Sequence, residues 1–296
     1  MLDLTEKKLL NKQDSGWLDL AANSNMSEVK KLIILKDKLR NRYKDYDEII
    51  KDYSTPPKES EFIESKRLLN SAYGTPPANL KKEILTLRQN HGFLQCPFCG
   101  RPVKTRILDH FIPKNKWPEF SIYPNNLVQQ CDSCSSKKGQ QFYCNESSIV
   151  KYIHPKYFDL LSRVQISISI DIIDELNLSN VILRPEFKVI GKTSNIEKTR
   201  IRAHIKNLEI SDAIESYTYT KYNDIIGEAS KKKTNYKVLL RELISHLSRH
   251  DVTSNWEVAL YKAMLRHPKI VEFFELNKPE ENVINTADFD GDDLFG

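Results

Sequence analysis

The stretch CPFCGRPVKTRILDHFIPKNKWPEFSIYPNNLVQQCDSC, residues 96–134, decides the fold of this chain. It contains two cysteine pairs with C-x2-C spacing, Cys96 with Cys99 and Cys131 with Cys134. Four thiolates in two such pairs suit one tetrahedral Zn²⁺, and a zinc ion with four protein ligands has no position open for chemistry. The two pairs therefore predict a structural zinc site, and any catalysis is expected to lie between them.

Five short elements follow one another around these cysteines: CPFCG, LDHFIPK, NNL, the second C-x2-C pair and KKG. Two C-x2-C pairs alone would leave many zinc-ribbon families open. The ordered set, over about residues 94–142, resembles the four-cysteine zinc branch of the HNH endonucleases, which have the ββα-metal fold. The stretches PKNKWPEFSIYPNNLV and NWEVALYKAM are also similar to stand-alone bacterial HNH proteins with helical flanks. The resemblance implies metal-dependent hydrolysis of DNA phosphodiester bonds.

The resemblance assigns the chemistry to three side chains. Neutral imidazole accepts a proton near physiological pH, so His110 would be the general base that activates water. Asp109 precedes it on a predicted strand, so its carboxylate points to the other face and suits a hard divalent cation. In the family a loop asparagine orients the histidine, and Asn126 stands at the matching position. The alternatives are an ordinary surface pair on a strand and, for Asn126, a residue that only shapes a turn.

The catalytic cation that the resemblance implies is Mg²⁺ or Mn²⁺, with Ni²⁺ as a further candidate. The family usually has histidine or asparagine directly after the last cysteine, whereas this chain has Ser135. Because serine is a weak ligand, the cation would depend mainly on Asp109, water and the scissile phosphate, with Ser135, Asp132 or Ser136 as candidates for a further ligand. Lys138 matches a common family lysine, and Lys114 lies in the intervening loop. Both are expected to contact DNA phosphates, and for Lys114 the alternative is a solvated surface charge.

Composition sets the frame for this site. The chain has 296 residues, a formal net charge of +5 and only 9 glycines, so it favours helices and permits a nucleic-acid partner. It contains neither an apolar run of roughly 18 residues nor a secretory signal at its start, which predicts a cytoplasmic protein with no membrane partner. Four of the 5 cysteines are paired, as expected for a metal site in a reducing compartment. Cys144, the odd one, is expected to be an inert thiol.

The predicted fold is α+β, with a central zinc-stabilised ββα-metal module between mostly helical N- and C-terminal regions. Hydrophobic periodicity predicts N-terminal helices, a β-hairpin after the module, and further helices. The expected helices are 26–53, 59–72, 77–90, 194–208, 211–227, 234–249 and 254–266, and the expected strands are 163–173 and 180–191. The predicted domains are 1–90 (helical), 91–145 (HNH module), 146–279 (mixed, mostly helical) and 280–296 (an acidic, disordered tail).

Two functional hypotheses follow. The first is an HNH endonuclease that acts on DNA, in the setting of bacterial anti-phage defence. The second is a catalytically weak, zinc-stabilised DNA- or protein-binding subunit of a defence or toxin complex. The helices outside the module offer surface for a protein partner, such as an ATPase subunit, and a homodimer would allow both DNA strands to be cut. The sequence leaves open DNA or RNA, sequence preference, and nicking or double-strand cleavage.

Overall fold

The computed structural model describes residues 1, 4–5, 10, 16–23, 28–144, 149–231, 234–247 and 254–278. The fold is α+β: helices dominate, and the strands form two-stranded antiparallel sheets. The predicted acidic tail, 280–296, lies outside the described residues. The helices are α1 (Trp17–Ala22), α2 (Val29–Lys44), α3 (Tyr46–Lys51), α4 (Lys66–Gly74), α5 (Ala78–Gln89), α6 (Asp132–Lys138), α7 (Asn195–Asn207), α8 (Ile210–Ala229), α9 (Tyr236–Leu247), α10 (Trp256–Arg266) and α11 (Pro268–Leu276).

The strands pair in sequence order, each with its neighbour along the chain. The first pair, β1 and β2, encloses the Pro-rich loop, and α6 follows it directly. The strand with LDH and the helix after Cys131 were expected, whereas β2, on the far side of the loop, was not. The strands are β1 (Ile107–His110), β2 (Leu127–Gln130), β3 (Tyr143–Cys144), β4 (Ile149–Val150), β5 (Val164–Ile172) and β6 (Val181–Val189).

The N-terminal helices differ from the prediction in three respects: α1 is additional, α4 begins at Lys66 rather than at residue 59, and residues 26–53 do not form one helix. The sequence predicts one helix over residues 26–53, whereas the structure has α2 and α3, which meet at Asp45. Beside this break, Tyr43 and Tyr46 are both buried and pack against Tyr123, with ring centroids 4.4 and 4.9 Å away. The break therefore coincides with the contact between the N-terminal helices and the central module.

The long hairpin β5–β6 confirms the predicted strands. Val164, Ile166 and Ile168 are buried and alternate with more exposed polar residues, as the two-residue period of a strand requires. Pro185 interrupts β6 without disrupting the pairing, because a two-stranded sheet has only edge strands. The hairpin packs against α8 and α10.

The C-terminal region contains one more helix than predicted. A proline at position 268 would usually end a helix, but here it occupies the first turn of α11, where its missing N–H is tolerated. Side chains from all of these regions join one buried apolar cluster, which includes Trp17, Phe98, Ile168 and Phe274. Within the described residues, none of the helices combines the length and the apolar character that crossing a membrane requires.

Candidate functional site

The four paired cysteines meet in one buried cluster. The sulfurs of Cys96 and Cys134 are 4.0 Å apart, those of Cys99 and Cys131 are 3.7 Å apart, and all four lie within 4.8 Å of one another. Sulfurs placed about 2.3 Å from a tetrahedral zinc ion would be separated by roughly 3.8 Å. The donor set and its spacing therefore fit a metal ion such as zinc.

Local hydrogen bonds shape the first cysteine turn. The N–H of Cys96 donates to the carbonyl of Arg101 at 2.9 Å, and the N–H of Gly100 donates to the carbonyl of Cys96 at 2.8 Å. Gly100 has φ +80°, a conformation that glycine adopts without the steric cost of a side chain. The N–H of Arg101 points at the sulfur of Cys99, 3.4 Å away. The turn thus presents both sulfurs to the same side.

Two side chains of the C-terminal region hold this turn. His204 Nε2 donates to the carbonyl of Phe98 at 2.9 Å, and Trp256 Nε1 donates to the carbonyl of Cys99 at 3.0 Å. The other ring nitrogen of His204 accepts the N–H of Ile153 at 3.1 Å. Burial lowers the pKa of His204 to about 4, so the ring is neutral. The sequence shows neither contact, because both partners lie more than a hundred residues away.

His110 ends strand β1 and is held in one orientation. Its Nε2 donates to the carbonyl of Ser121 at 2.9 Å, and the ring of Tyr73 meets it edge-on with centroids 4.4 Å apart. Burial and, second, the nearby Lys114 ammonium lower the pKa of His110 to about 3. The imidazole is therefore neutral at physiological pH. Because Nε2 carries the proton, Nδ1 carries the lone pair.

Asp109 precedes His110 on β1 and forms an ion pair with Lys138. The ammonium of Lys138 lies 2.8 Å from Asp109 Oδ2 and donates to the carbonyl of His110 at 2.7 Å. Only 1% of the Lys138 side chain is exposed, against 19% for Asp109. Burial raises the pKa of Asp109, although the lysine acts in the opposite direction. The ammonium of Lys138 therefore does not have the predicted partner. It is buried between two protein acceptors and is not presented to a DNA phosphate.

Two further predicted residues, Lys114 and Ser135, lie in the elements that carry or follow this pair. The ammonium of Lys114 lies 4.7 Å from the centre of the Tyr73 ring and is close enough to influence the pKa of both Asp109 and His110. Ser135 is half-buried on α6, three residues before Lys138 and so on the same side of the helix. The structure thus brings α6 and the loop after β1 to the Asp109 carboxylate.

Asn126 stabilises the loop between the two strands. It is fully buried, and its Oδ1 accepts the N–H of Ile112 at 2.7 Å and the hydroxyl of Tyr46 at 2.9 Å. Its Nδ2 donates to the carbonyls of Ile112 at 3.0 Å and Phe120 at 3.1 Å. Asn126 therefore stabilises the loop that carries Ser121. The Ser121 carbonyl accepts the hydrogen bond of His110, so Asn126 influences the histidine indirectly, through the loop.

This network predicts a large stability effect at Asn126. Asn126→Ala should lower the free energy of unfolding by about 3 kcal/mol, because it leaves several buried polar groups without partners. Urea unfolding of the zinc-loaded protein measures the change. Asn115→Ala is the matched control, since Asn115 is exposed in the same loop and accepts one long bond of 3.4 Å. Equal effects of the two substitutions would contradict this role.

Contacts from the N-terminal helices also hold the loop. Arg42 lies 3.3 Å from the buried carboxylate of Glu119, which also accepts the hydroxyl of Ser60. The hydroxyl of Ser121 donates to Asn70 Oδ1 at 2.7 Å. None of these residues stands out in the sequence, where an isolated Glu or Arg is typical of a solvated surface.

Two buried basic side chains, His154 and Lys156, support the turn that leads into β2. His154 Nε2 donates to the carbonyl of Asn125 at 3.1 Å, and Lys156 Nζ donates to the carbonyl of Leu127 at 3.0 Å. Burial lowers the pKa of Lys156 to about 8. Sequence reasoning missed both residues; the only signal was a histidine and a lysine beside Pro155, in an otherwise apolar stretch.

Comparison with known proteins gives one partial likeness. No family model matches the chain, and no solved structure matches it. The chain is similar to protein ea31 of Escherichia phage lambda, with 46% identity over 66 residues. These residues are 22% of this chain and 21% of ea31, so the chain spans about a fifth of the relative's length. The likeness therefore concerns a segment of each protein.

Proposed function

We propose that this chain is an HNH-type endonuclease that hydrolyses DNA phosphodiester bonds with the help of a divalent cation. One observation carries the proposal: a buried, neutral His110 is fixed by the Ser121 carbonyl, and Asp109 stands beside it on a strand next to the four-cysteine cluster. A base and a cation ligand at adjacent positions are what hydrolysis of a phosphodiester by water requires.

In the proposed mechanism His110 accepts a proton of the attacking water, whose oxygen bonds to phosphorus while the phosphorus–oxygen bond to the leaving sugar oxygen breaks. The leaving oxygen takes a proton from solvent water. The Nε2–H of His110 remains on the Ser121 carbonyl, so Nδ1 is the atom that takes the proton. The same carbonyl favours the protonated ring, against the burial and the Lys114 charge that lower the pKa of His110 in the free protein. Lys114 adds positive charge beside the site and is proposed to attract the DNA phosphate.

The residues present fit a weakly held divalent cation. Asp109 and Ser135 would hold Mg²⁺ or Mn²⁺, with Ni²⁺ as a third candidate. Mg²⁺ commonly binds through one or two carboxylates together with waters and substrate phosphates, so a sparse protein ligand set is compatible with it. When bound, the cation would supply charge that offsets the negative charge developing on the phosphate. Zinc in the cysteine cluster would be structural, because its four ligands leave no open position.

A second candidate function rests on the ion pair of Asp109 with Lys138. The lysine neutralises the main predicted carboxylate ligand, Asp109, and Ser135 is a weak replacement for the family's histidine or asparagine. Both features favour a weak enzyme that serves as a DNA- or protein-binding subunit of a defence or toxin complex. A protein partner such as an ATPase subunit would then regulate the activity.

Cleavage of supercoiled plasmid by the zinc-loaded chain, with Mg²⁺, Mn²⁺ or Ni²⁺, tests the proposal. Asp109→Asn keeps the shape and removes the charge, and it should slow cleavage by about 100-fold or more if the carboxylate holds the cation. Asp224→Asn, the same change at an exposed position on α8, should leave the rate unchanged. If none of these cations supports cleavage, the binding-subunit candidate is favoured instead. Equal cleavage by the Asp109→Asn variant would point to a contaminating nuclease.

A further inference from the structure

Lys138 connects helix α6 to both proposed functional residues of β1. Its ammonium contacts Asp109 Oδ2 at 2.8 Å and the carbonyl of His110 at 2.7 Å. The side chain is almost completely shielded from water, with 1% of its surface exposed. An ion pair in such surroundings is screened much less than one on the surface. The lysine therefore neutralises the carboxylate effectively in the free protein.

In the free protein, a divalent cation at Asp109 would find few further protein ligands. Within the described part of the chain, the four-cysteine cluster is the one group of three or more Cys, His, Asp or Glu side chains whose ligand atoms converge. The carboxylate in the loop between β1 and β2, Glu119, is already engaged by Arg42 and Ser60. A dication approaching Asp109 would thus meet one carboxylate, already paired, and the additional positive charge of Lys114.

A bound phosphodiester would change the balance of positive and negative charge around Asp109. Its oxygens supply negative charge and metal ligands at the same time, which is how Mg²⁺ is commonly completed in phosphoryl-transfer sites. We propose that Lys138 is a positioning residue that makes cation binding at Asp109 depend on the presence of nucleic acid. The inference rests on the proposed nuclease function. Because coupling between two ligands is reciprocal, the cation must also strengthen the binding of nucleic acid by the same factor.

Mn²⁺ titration, followed by the electron paramagnetic resonance signal of the free ion, tests the coupling without relying on activity. The zinc-loaded His110→Ala protein is used, so that added DNA is not cleaved. A short DNA duplex should strengthen Mn²⁺ binding by about tenfold or more, within the usual range of coupling between two sites. If the duplex leaves Mn²⁺ affinity unchanged, the inference is wrong, whatever the behaviour of any lysine variant.

Lys138→Met in the same background identifies the residue responsible. Methionine has a similar length without the charge, so Mn²⁺ should bind about tenfold more tightly without DNA, and the effect of the duplex should shrink correspondingly. Lys137→Met removes the same charge from the neighbouring position, where the lysine pairs with Glu209 at the surface, and should behave like its parent. A Lys138→Met protein that retains zinc yet binds Mn²⁺ no more tightly than the Lys137→Met control would overturn the assignment.

The coupling between cation and DNA can fail independently of the nuclease proposal. If the wild-type chain cleaves plasmid but DNA does not affect Mn²⁺ binding, the nuclease proposal stands and the coupling is rejected. If the wild-type chain cleaves nothing and binds no Mn²⁺ at Asp109 even with DNA, as judged by an identical titration of Asp109→Asn, both are rejected. If Lys138→Met does not fold, the duplex titration of the His110→Ala protein still decides whether cation and DNA binding are coupled.

Discussion

His110→Ala should slow DNA cleavage by about 10²- to 10⁴-fold, the range typical of the loss of a general base. The substitution removes the nitrogen that would accept the proton of water and leaves the Ser121 carbonyl without its donor at 2.9 Å. Zinc content and the circular dichroism spectrum should be retained, because the histidine is not part of the cysteine cluster. Single-turnover cleavage of plasmid measures the rate.

Two comparisons make this test specific. His246→Ala changes an exposed histidine on α9 and should leave the rate as it is. Added imidazole should partly restore cleavage by the His110→Ala protein, since the small base can occupy the space left by the ring. An His110→Ala protein with the full wild-type rate would show that another group activates the water, and the role assigned to this histidine would be wrong.

Cys131→Ser should strongly lower the zinc content and the thermal stability of the protein, because it affects folding rather than a chemical step. Serine does not supply a thiolate, and binding of structural zinc contributes about 10 kcal/mol or more to the stability of small zinc domains. Loss of even part of this should lower the thermal midpoint by at least about 10 °C, since each kcal/mol shifts a domain of this size by about 2–4 °C. Calorimetry and a colorimetric zinc assay check the two expectations.

The matched control is Cys144→Ser, the same chemical change outside the two cysteine pairs. It should retain zinc and unfold close to the wild-type midpoint. If Cys131→Ser instead keeps both zinc and the wild-type midpoint, the cluster of four sulfurs is not a structural metal site. Activity of the Cys131→Ser protein carries no information on the chemistry, because the strand and the helix that form the site depend on the cluster.

Several structural features could be predicted because they depend on neighbours in the sequence. The C-x2-C spacing brings two sulfurs to one turn, and the alternation of Val164, Ile166 and Ile168 identifies a half-buried strand. Helix α5 was expected at 77–90 and occurs at Ala78–Gln89. Helix α11 was missed because Pro268 reads equally as the end of one helix or the start of another.

The environment of each polar side chain could not be predicted in the same way. Lys138 was assigned to a phosphate because it matches a common lysine of the family that the sequence resembles, whereas the packing of α6 on β1 buries its ammonium against Asp109. His204 and Trp256 reach the first cysteine turn from α7 and α10. Such contacts depend on how distant elements pack, and a single sequence does not encode that in any local pattern.

The sequence by itself predicted the cysteine cluster from its C-x2-C spacing, and most helices and the β5–β6 hairpin of the α+β fold from their periodicity, because both are properties of short stretches of chain. Only the tertiary structure decided that His110 is a neutral ring held by Ser121, that Asn126 supports a loop, and that the lysine of α6 pairs with Asp109. Charge state and hydrogen-bond partners follow from burial, and burial arises only when elements far apart in sequence pack together.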